Sequence, residues 1–348
     1  MSKPRIQPVS QEWLARASEY QNTLTKPPGS LGFLEEIGVR LAAIQQTLQP
    51  QLGRGAVIVC AADHGVVAEG VSAYPAEVTA QMVRNFQVGG AAINQIARAA
   101  QAEVVVLNVG VAAPEGPASR VRPGTGNIVL EPAMSLAEAE QALQVGMAAA
   151  REAVAQGATL LAAGDMGIGN TTAAAALTAA LLGQKAETVT GRGTGIDNLR
   201  YQKKVEAVRA ALGRAQSRLG NLNESDPMEV LAELGGLEIA AITGVFLAGA
   251  EAGLPLVTDG FPVTAGALLA CRLEPAVRGY LFAGHRSQEP GHRWQLEALG
   301  LRPILELDMR LGEGTGAVLS FPVLRAAAAV MTGMATFQQA GVAQGARE

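Results

Sequence analysis

Short runs of β-branched and leucine residues recur along the chain, and most are followed by a glycine-containing turn. Several of these turns lead into an alanine-rich segment of helical length, so strands and helices alternate. We predict strands over residues 56–61, 103–109, 159–163, 254–258, 279–283 and 303–307. This alternation is typical of an α/β fold with a mostly parallel sheet and helices on both faces.

The two ends of the chain carry helical patterning without strands. Residues 11–48 are patterned as helices interrupted near Pro27 and Pro28, because proline cannot continue a helix. Residues 321–339 are patterned as a further helix. We therefore predict that residues 1–50 and 322–348 form a small helical subdomain beside a large α/β domain of residues 51–321.

The composition supports this fold class and limits the kinds of partner. Apolar residues make up 49% of the chain and aromatic residues 4%, which favours helices packed on a parallel sheet over an aromatic-rich β-sandwich. The formal net charge is −4, and no run of Lys or Arg occurs. Because nucleic acids and anionic membranes require a basic surface, we expect small-molecule substrates, no nucleic acid and no membrane.

The sequence also predicts the cellular compartment of the protein. Cys60 and Cys271 fit no metal-ligand or redox spacing, which indicates thiols in a reducing compartment. The first residues lack an apolar signal core. Residues 166–184 and 326–346 are uncharged and long enough to span a bilayer, but polar residues and glycine interrupt both. We predict a cytoplasmic protein.

Ligands of parallel sheets collect at the carboxyl ends of the strands. Polar and glycine residues concentrate directly after the predicted strands, as in Asp63-His64, Gly164-Asp165, Asp259-Gly260, residues 284–287 and residues 308–316. The three histidines, His64, His285 and His292, show no familiar metal spacing, so we expect no metal site. His64 is interpreted instead as a hydrogen-bonded residue of a strand end.

The stretch GDMGIGNTT, residues 164–172, allows two interpretations. Gly167 and Gly169 let the backbone turn closely after a strand, and an anion there would meet backbone donors and the positive end of a helix. In the second interpretation, Asn170 and Thr171 with Thr172 simply cap that helix.

Two later clusters carry candidate charges. Residues 190–198 contain GRGTG, and Arg192 and Lys204 could supply charge to a phosphate that the glycine amides approach; a flexible surface loop is the alternative. In the segment 307–317, Glu313 between glycines is either a general base or a solvated loop acid. If their strands lie centrally, Asp165 and Glu313 point into the same crevice.

Seven segments together resemble the nicotinate-nucleotide:dimethylbenzimidazole phosphoribosyltransferases, which make the lower-ligand nucleotide of cobalamin. They occur in the family order and span residues 26–316. The segments are KPPGSLG (26–32), ADHG with VSAYP (62–65, 71–75), GDMGIGNTT (164–172), GRGTG (191–195), TDGF (258–261), GHRS with Glu289 and His292 (284–287), and GEGTG (312–316).

The resemblance implies a Rossmann-like sheet, a helical domain from both termini, a homodimer, and neither metal nor cofactor. It implies transfer of phosphoribose from nicotinate mononucleotide to 5,6-dimethylbenzimidazole or a related base, giving α-ribazole 5′-phosphate and nicotinate. By motif, Glu313 matches the general base, and Asp165 is the second predicted catalytic carboxylate. The other matches are Asp165, Gly167, Gly169, Asn170, Thr171, Arg192, Lys204 and Ser287 around the ribose phosphate, and Ser72, Tyr74 and Gln81 in the segment that lines the base pocket.

Two questions stay open at this point. The family usually has glutamate at the position of Asp165. Because aspartate is one methylene shorter, Asp165 either acts on the incoming base through a bridging water or only orients the substrate. A non-catalytic module that senses a mononucleotide would use the same loops as an enzyme. An α/β hydrolase or phosphatase ranks last among the alternatives, because it would need a nucleophile elbow or metal-binding acids and no Gly-x-Ser-x-Gly occurs.

Overall fold

A six-stranded, entirely parallel sheet forms the centre of the protein. The structure is a computed structural model that describes residues 4–113, 119–193 and 195–343. The spatial order is β2-β1-β3-β4-β5-β6. The strands are β1 (Gly55–Ala62), β2 (Ala102–Gly110), β3 (Leu160–Met166), β4 (Leu256–Thr258), β5 (Leu281–His285) and β6 (Pro303–Leu305). The predicted α/β fold with a parallel sheet is confirmed.

All six predicted strands occur, but their ends differ from the predicted ones. Strand β3 continues to Met166, so Asp165 lies inside the strand and not after it. The cause is the parallel ladder with β1, in which Cys60 pairs with Asp165 and satisfies the backbone regardless of side-chain polarity. Gly279 was predicted in β5 but belongs to the 3-10 helix Pro275–Tyr280.

Helices connect the strands and cover the sheet. They are α1 (Gln11–Gln21), α2 (Phe33–Gln45), α3 (Glu77–Gln87), α4 (Ala92–Ala99), α5 (Leu136–Ala155), α6 (Asn170–Leu182), α7 (Ala186–Val189), α8 (Asn198–Leu219), α9 (Pro227–Leu234), α10 (Leu237–Glu251), α11 (Phe261–Leu273), α12 (Pro290–Leu299), α13 (Thr315–Leu319), α14 (Phe321–Gly333) and α15 (Phe337–Ala340).

The core lies on both sides of the sheet. All eight residues of β1 are buried, and because successive side chains of a strand point to opposite faces, both faces must be covered. Helix α10 packs on α5, on α11 and on the sheet, whereas α4 packs with α13. Helix α10 is apolar around almost its whole circumference, as expected for a helix buried on all sides.

Helices from both ends of the chain pack together, as predicted. Helix α2 lies against α1 and α14, with Ala17, Ala42 and Met331 forming a separate small apolar cluster. An antiparallel bridge joins Leu24 to Thr336. Because Leu41 of α2 also belongs to the main core, the two ends are not isolated from the sheet. The domain boundaries at residues 50 and 322 stay a prediction.

Among the described residues, one helical stretch, Thr315–Gly333, is long and apolar enough to cross a membrane, with a mean hydropathy of 1.4. Half of that stretch is buried in the fold. Core helices of soluble proteins have the same length and composition, so the stretch is weak support for a membrane span.

The contact between α5 and α10 gives a test of the packing. A Cβ at Gly146 would overlap the carbonyl oxygen of Ala241. We expect Gly146→Ala to lower the free energy of unfolding by about 1–3 kcal/mol, because the two helices would have to separate. Gly213 on α8 has nothing within 4 Å of an added Cβ. Gly213→Ala is the matched control and should raise that free energy by about 0.5–1 kcal/mol. Chemical denaturation measures both, and equal effects would contradict this packing.

Candidate active site

A cavity of about 670 Å³ opens at the carboxyl ends of the central strands. The sheet order reverses at this point, since the chain proceeds from β1 to β2 on one side and from β3 to β6 on the other. Such a switch point leaves a crevice where ligands of open α/β sheets bind. Parts of β3, β5, α3, α6 and the loop before α13 line it, including Val78, Met82, Asp165, Met166, Ile168, Phe261, His285, Glu289, Arg310 and Glu313.

The structure brings nearly all the sequence-predicted site residues to this cavity. Those that line it are Ser72, Tyr74, Asp165, Gly167, Gly169, Asn170, Thr171, Arg192, Lys204, Ser287 and Glu313. Gln81 is the exception, because its side chain is exposed on α3 and does not belong to the lining. Its neighbour Met82 lines the cavity instead. One residue along a helix turns the side chain by about 100°, so the two face different ways.

The turn after β3 has the backbone conformation that only glycine adopts readily. Gly169 has φ +93° and is the N-cap of α6. The alternative interpretation, in which Asn170 and Thr171 with Thr172 cap this helix, is wrong, because α6 has no side-chain cap and the first two side chains are bound elsewhere. Asn170 Nδ2 donates to Asp165 Oδ2 at 2.7 Å, and Thr171 Oγ1 accepts from Lys204 Nζ at 2.8 Å. The first amides of α6 therefore have no side-chain cap.

Asp165 is buried beneath the cavity. Its Oδ2 accepts from Asn170, while Oδ1 has no hydrogen-bond partner among the described residues. Burial, and then the negative charge of Asp259, raise the pKa of Asp165 to about 8. A carboxyl with this pKa is largely protonated near neutral pH and can therefore donate a hydrogen bond as well as accept one.

Glu313 lies beside Asp165 on the loop that returns from β6. It is only 5% exposed, so the alternative of a solvated loop acid is wrong. Its backbone N–H donates to the carbonyl of Asp165 at 3.2 Å, and its Oε2 accepts from the N–H of Ile93 at 3.1 Å, in the first turn of α4. Burial raises the pKa of Glu313, the Ile93 amide opposes this, and Asp259 adds to it.

The backbone of Glu313 is strained. Its φ of +64° is in the left-handed region, which costs about 1–3 kcal/mol for a residue other than glycine. Such a conformation persists only where the surroundings enforce it, and strain of this kind concentrates at functional sites.

A buried cation lies at another wall of the cavity. Lys204 is 1% exposed, and burial lowers its pKa to about 8 although the nearby Glu289 acts in the opposite direction. Glu289 Oε1 accepts from the N–H of Gly193 at 2.7 Å. A lysine held beside the uncapped start of α6 is suited to bind an anion, because an anionic ligand would restore its charge at little cost.

Two arginines lie on the same side of the cavity. Arg192 is exposed, and its guanidinium donates to the carbonyl of Ile196 and to Asn198. Arg310 donates to the carbonyl of Gly193 at 3.3 Å and so bridges two loops of the cavity wall. Thr194, in the same glycine cluster, lies outside the described residues.

Buried histidines support the site from below. His292 Nδ1 accepts from the N–H of Ser287 at 3.0 Å, which fixes the turn that carries Ser287. Burial, and then His285, lower the pKa of His292 to about 3, so it stays neutral. His64 Nε2 is 2.8 Å from Glu238 Oε1, which confirms His64 as a hydrogen-bonded residue of a strand end. In the described ranges, no group of three or more His, Cys, Asp or Glu residues could hold a metal ion.

Comparison with known proteins identifies the family of this chain. The family model DBI_PRT, a phosphoribosyltransferase, matches residues 6–342. The nicotinate-nucleotide–dimethylbenzimidazole phosphoribosyltransferase of Thermus thermophilus is 62% identical over 339 residues, which cover 96% of this chain and 99% of the relative. The protein of the same name from Desulforamulus reducens is 48% identical, over 98% and 97% of the two chains.

The crystal structure of CobT from Thermus thermophilus superposes on this fold with a TM-score of 0.91, over 96% of this chain and 100% of that one, at 62% identity. The chain belongs to the nicotinate-nucleotide–dimethylbenzimidazole phosphoribosyltransferase family. The match covers almost the entire length of both proteins, so it includes the cavity and every element that lines it.

Several residues of this phosphoribosyltransferase site escape prediction from the sequence. Arg310 and Met82 lie near residues that the motifs single out, but their local pattern shows no chemistry. Glu238 carries a usable signal, since it is an isolated carboxylate within the apolar helix α10. The sequence does indicate Asp259, which directly follows β4 and belongs to the TDGF segment, but it assigns this residue no role.

The raised pKa of Asp165 predicts a pH-dependent stability. Between the unfolded value of 3.8 and the folded value of about 8, the folded protein retains a proton that the unfolded chain releases. The wild type should therefore lose stability as the pH rises through this range. Asp165→Asn is neutral at every pH, so its free energy of unfolding relative to wild type should increase from pH 5 to pH 8 and then level off. Denaturation at several pH values measures this, and a constant difference would contradict it.

Proposed function

We propose that this phosphoribosyltransferase transfers the phosphoribosyl group of nicotinate mononucleotide to 5,6-dimethylbenzimidazole or a related base. The products are nicotinate and an α-ribazole 5′-phosphate, the nucleotide of the cobalamin lower ligand. The observation that carries the proposal is the burial of Glu313 and Asp165 in the same cavity as Lys204, in a chain 62% identical to a relative of that name. No feature of the site favours a sensor that binds the mononucleotide without turnover.

The reaction needs a base more than an acid. Nicotinate leaves the ribose as a neutral pyridine from a pyridinium, so its departure requires no proton. The attacking benzimidazole nitrogen would become cationic unless the proton on the other nitrogen is removed. A partly desolvated carboxylate near the acceptor is suited to take that proton.

Glu313 is the base in this proposal. Its Oε2 is occupied by the amide of Ile93, which leaves the other oxygen to accept the proton of the acceptor. A raised pKa makes Glu313 a stronger base than an exposed glutamate, provided that it is ionised at the working pH. Attack from the face opposite the leaving group inverts C1′ from β to α, and no covalent enzyme intermediate is needed.

The phosphate is assigned to the part of the cavity around Lys204. Lys204 and the hydroxyl of Thr171 are donors for an anion, and they lie beside the positive end of α6 and the turn at Gly167 and Gly169. We place the ribose near Ser287 and Asn170. Asp165 then orients the ribose or a bound water, because its carboxyl is tied to Asn170.

The base slot is assigned to the mouth of the cavity. Tyr74 is 50% exposed and Leu311 is 59% exposed, and both line the cavity with Ser72 and Met82. Large apolar side chains that remain exposed at a cavity mouth are typical of sites completed by an apolar ligand. A flat heterocycle fits this description. We further propose a homodimer in the cytoplasm, in accordance with the family resemblance.

Glu313→Gln tests the base. The change removes the charge but keeps the shape and an acceptor for Ile93, so we expect native folding and a fall in kcat of about 10²- to 10⁴-fold. The measurement is nicotinate release from nicotinate mononucleotide and dimethylbenzimidazole. Glu306→Gln, an exposed acid on the same loop, is the control and should retain the wild-type rate. A rate near wild type in Glu313→Gln would assign the base to another residue.

Lys204→Met tests the phosphate site. Methionine keeps most of the buried stem but removes the ammonium, so the Michaelis constant for the mononucleotide should rise far more than that for the benzimidazole. Lys203→Ala, on the exposed side of the same helix, should change neither constant. Equal increases for the two substrates in Lys204→Met would argue against a contact with the phosphate.

A further inference from the structure

Asp259 is a completely buried carboxylate at the end of the central strand β4. Its two oxygens accept from backbone N–H groups at the start of α13. Oδ2 lies 3.2 Å from the amide of Gly314, and Oδ1 lies 2.8 Å from the amide of Ala317. The first of these amides belongs to the residue directly after Glu313, so Asp259 is bonded to the peptide that carries the proposed base.

The strained backbone of Glu313 is held from two sides. From β3, the carbonyl of Asp165 accepts its N–H. A side chain at Gly164 would overlap the carbonyl oxygen of Glu313, so the two backbones are in direct contact. From β4, Asp259 anchors the next peptide. These contacts from two neighbouring strands hold the left-handed conformation that a lone glutamate would leave.

Asp259 is also surrounded by titratable groups. His285 on β5 places Nε2 3.5 Å from Asp259 Oδ1. The negative charge of Asp259 acts on Asp165 of β3 and on Glu313, and Glu238 on α10 also acts on Asp165. Burial, offset by His285 and by the backbone amides, raises the pKa of Asp259. Its charge in turn contributes to the raised pKa of Glu313.

We propose that Asp259 is a positioning residue for phosphoribosyl transfer, which holds the Glu313 peptide in its left-handed conformation through Gly314 and Ala317 so that the carboxylate faces the acceptor. The inference rests on the proposed role of Glu313 as the base. Asp259 does not line the cavity and acts through Glu313.

Asp259→Asn is the first test. Asparagine has one acceptor oxygen for two amides and carries no charge, so the Glu313 peptide loses an anchor. We expect kcat to fall on the order of 10²-fold while the Michaelis constant for nicotinate mononucleotide is retained, because a small misplacement of a catalytic group has effects of that size. The acid limb of the kcat profile should move to lower pH, because a negative charge near Glu313 is gone. The benzimidazole titrates identically in assays of the wild type and of Asp259→Asn, so a difference between the two pH profiles comes from the enzyme.

Asp63→Asn is the matched control. Asp63 is also a buried aspartate at a strand end, and its Oδ2 accepts from the amide of Ala112 at 2.8 Å, but it does not line the cavity. This variant should lose stability without any displacement of the acid limb. A purely structural role of Asp259 would give the same result as Asp63→Asn, and that result would overturn the inference.

Two further variants complete the test. In Asp259→Asn combined with Glu313→Gln, the rate should equal that of Glu313→Gln alone, because Asp259 acts through the base. A double variant whose loss of rate equals the product of the two single losses would overturn the inference. If Asp259→Asn does not fold, Asp259→Glu is the substitute, because it keeps the charge but displaces the two acceptor oxygens. Asp259→Glu should lower kcat and leave the acid limb of the pH profile unchanged. A wild-type kcat in Asp259→Glu would overturn the inference. Absence of nicotinate release by the wild type would overturn the proposed function itself, and the positioning role with it.

Discussion

The burial of three carboxylates at the ends of the central strands is the constraint on which the site depends. Asp165, Asp259 and Glu313 share a region that water hardly reaches, and each raises the cost of charging another. A buried charge is tolerated only when polar groups compensate for lost water. The fold supplies these groups mostly from its own backbone and not from cations.

Each carboxylate is matched to a different structural element. Asp259 receives the amides at the start of α13, Glu313 receives an amide at the start of α4, and Asp165 receives the side chain of Asn170. Helix starts provide amide donors that lack intrahelical partners, so they are natural neighbours for acids. The compensation is incomplete, because Asp165 Oδ1 has no partner among the described residues. Burial is the largest cause of the raised pKa of all three carboxyls.

The topology explains how a residue so far along the chain reaches the centre of the sheet. Strand β6 is at the edge, and the loop after it returns across the carboxyl ends of the strands until Glu313 bonds to Asp165 on β3. The cation Lys204 comes from α8 and meets Thr171 of α6 from the other side. The acids and the cation therefore reach one cavity from different elements of the fold.

The sequence by itself determined the alternation of strands and helices, the parallel sheet and the packing of the two ends, because these follow from local hydrophobic patterns. It also indicated Glu313, Asp165 and Lys204 through their motifs. Only the tertiary structure decided that Asn170 binds Asp165 and does not cap α6, that Met82 and not Gln81 lines the cavity, and that Asp259 anchors the peptide after Glu313. These contacts depend on which residues become neighbours in the fold, and a local sequence pattern contains no information about that.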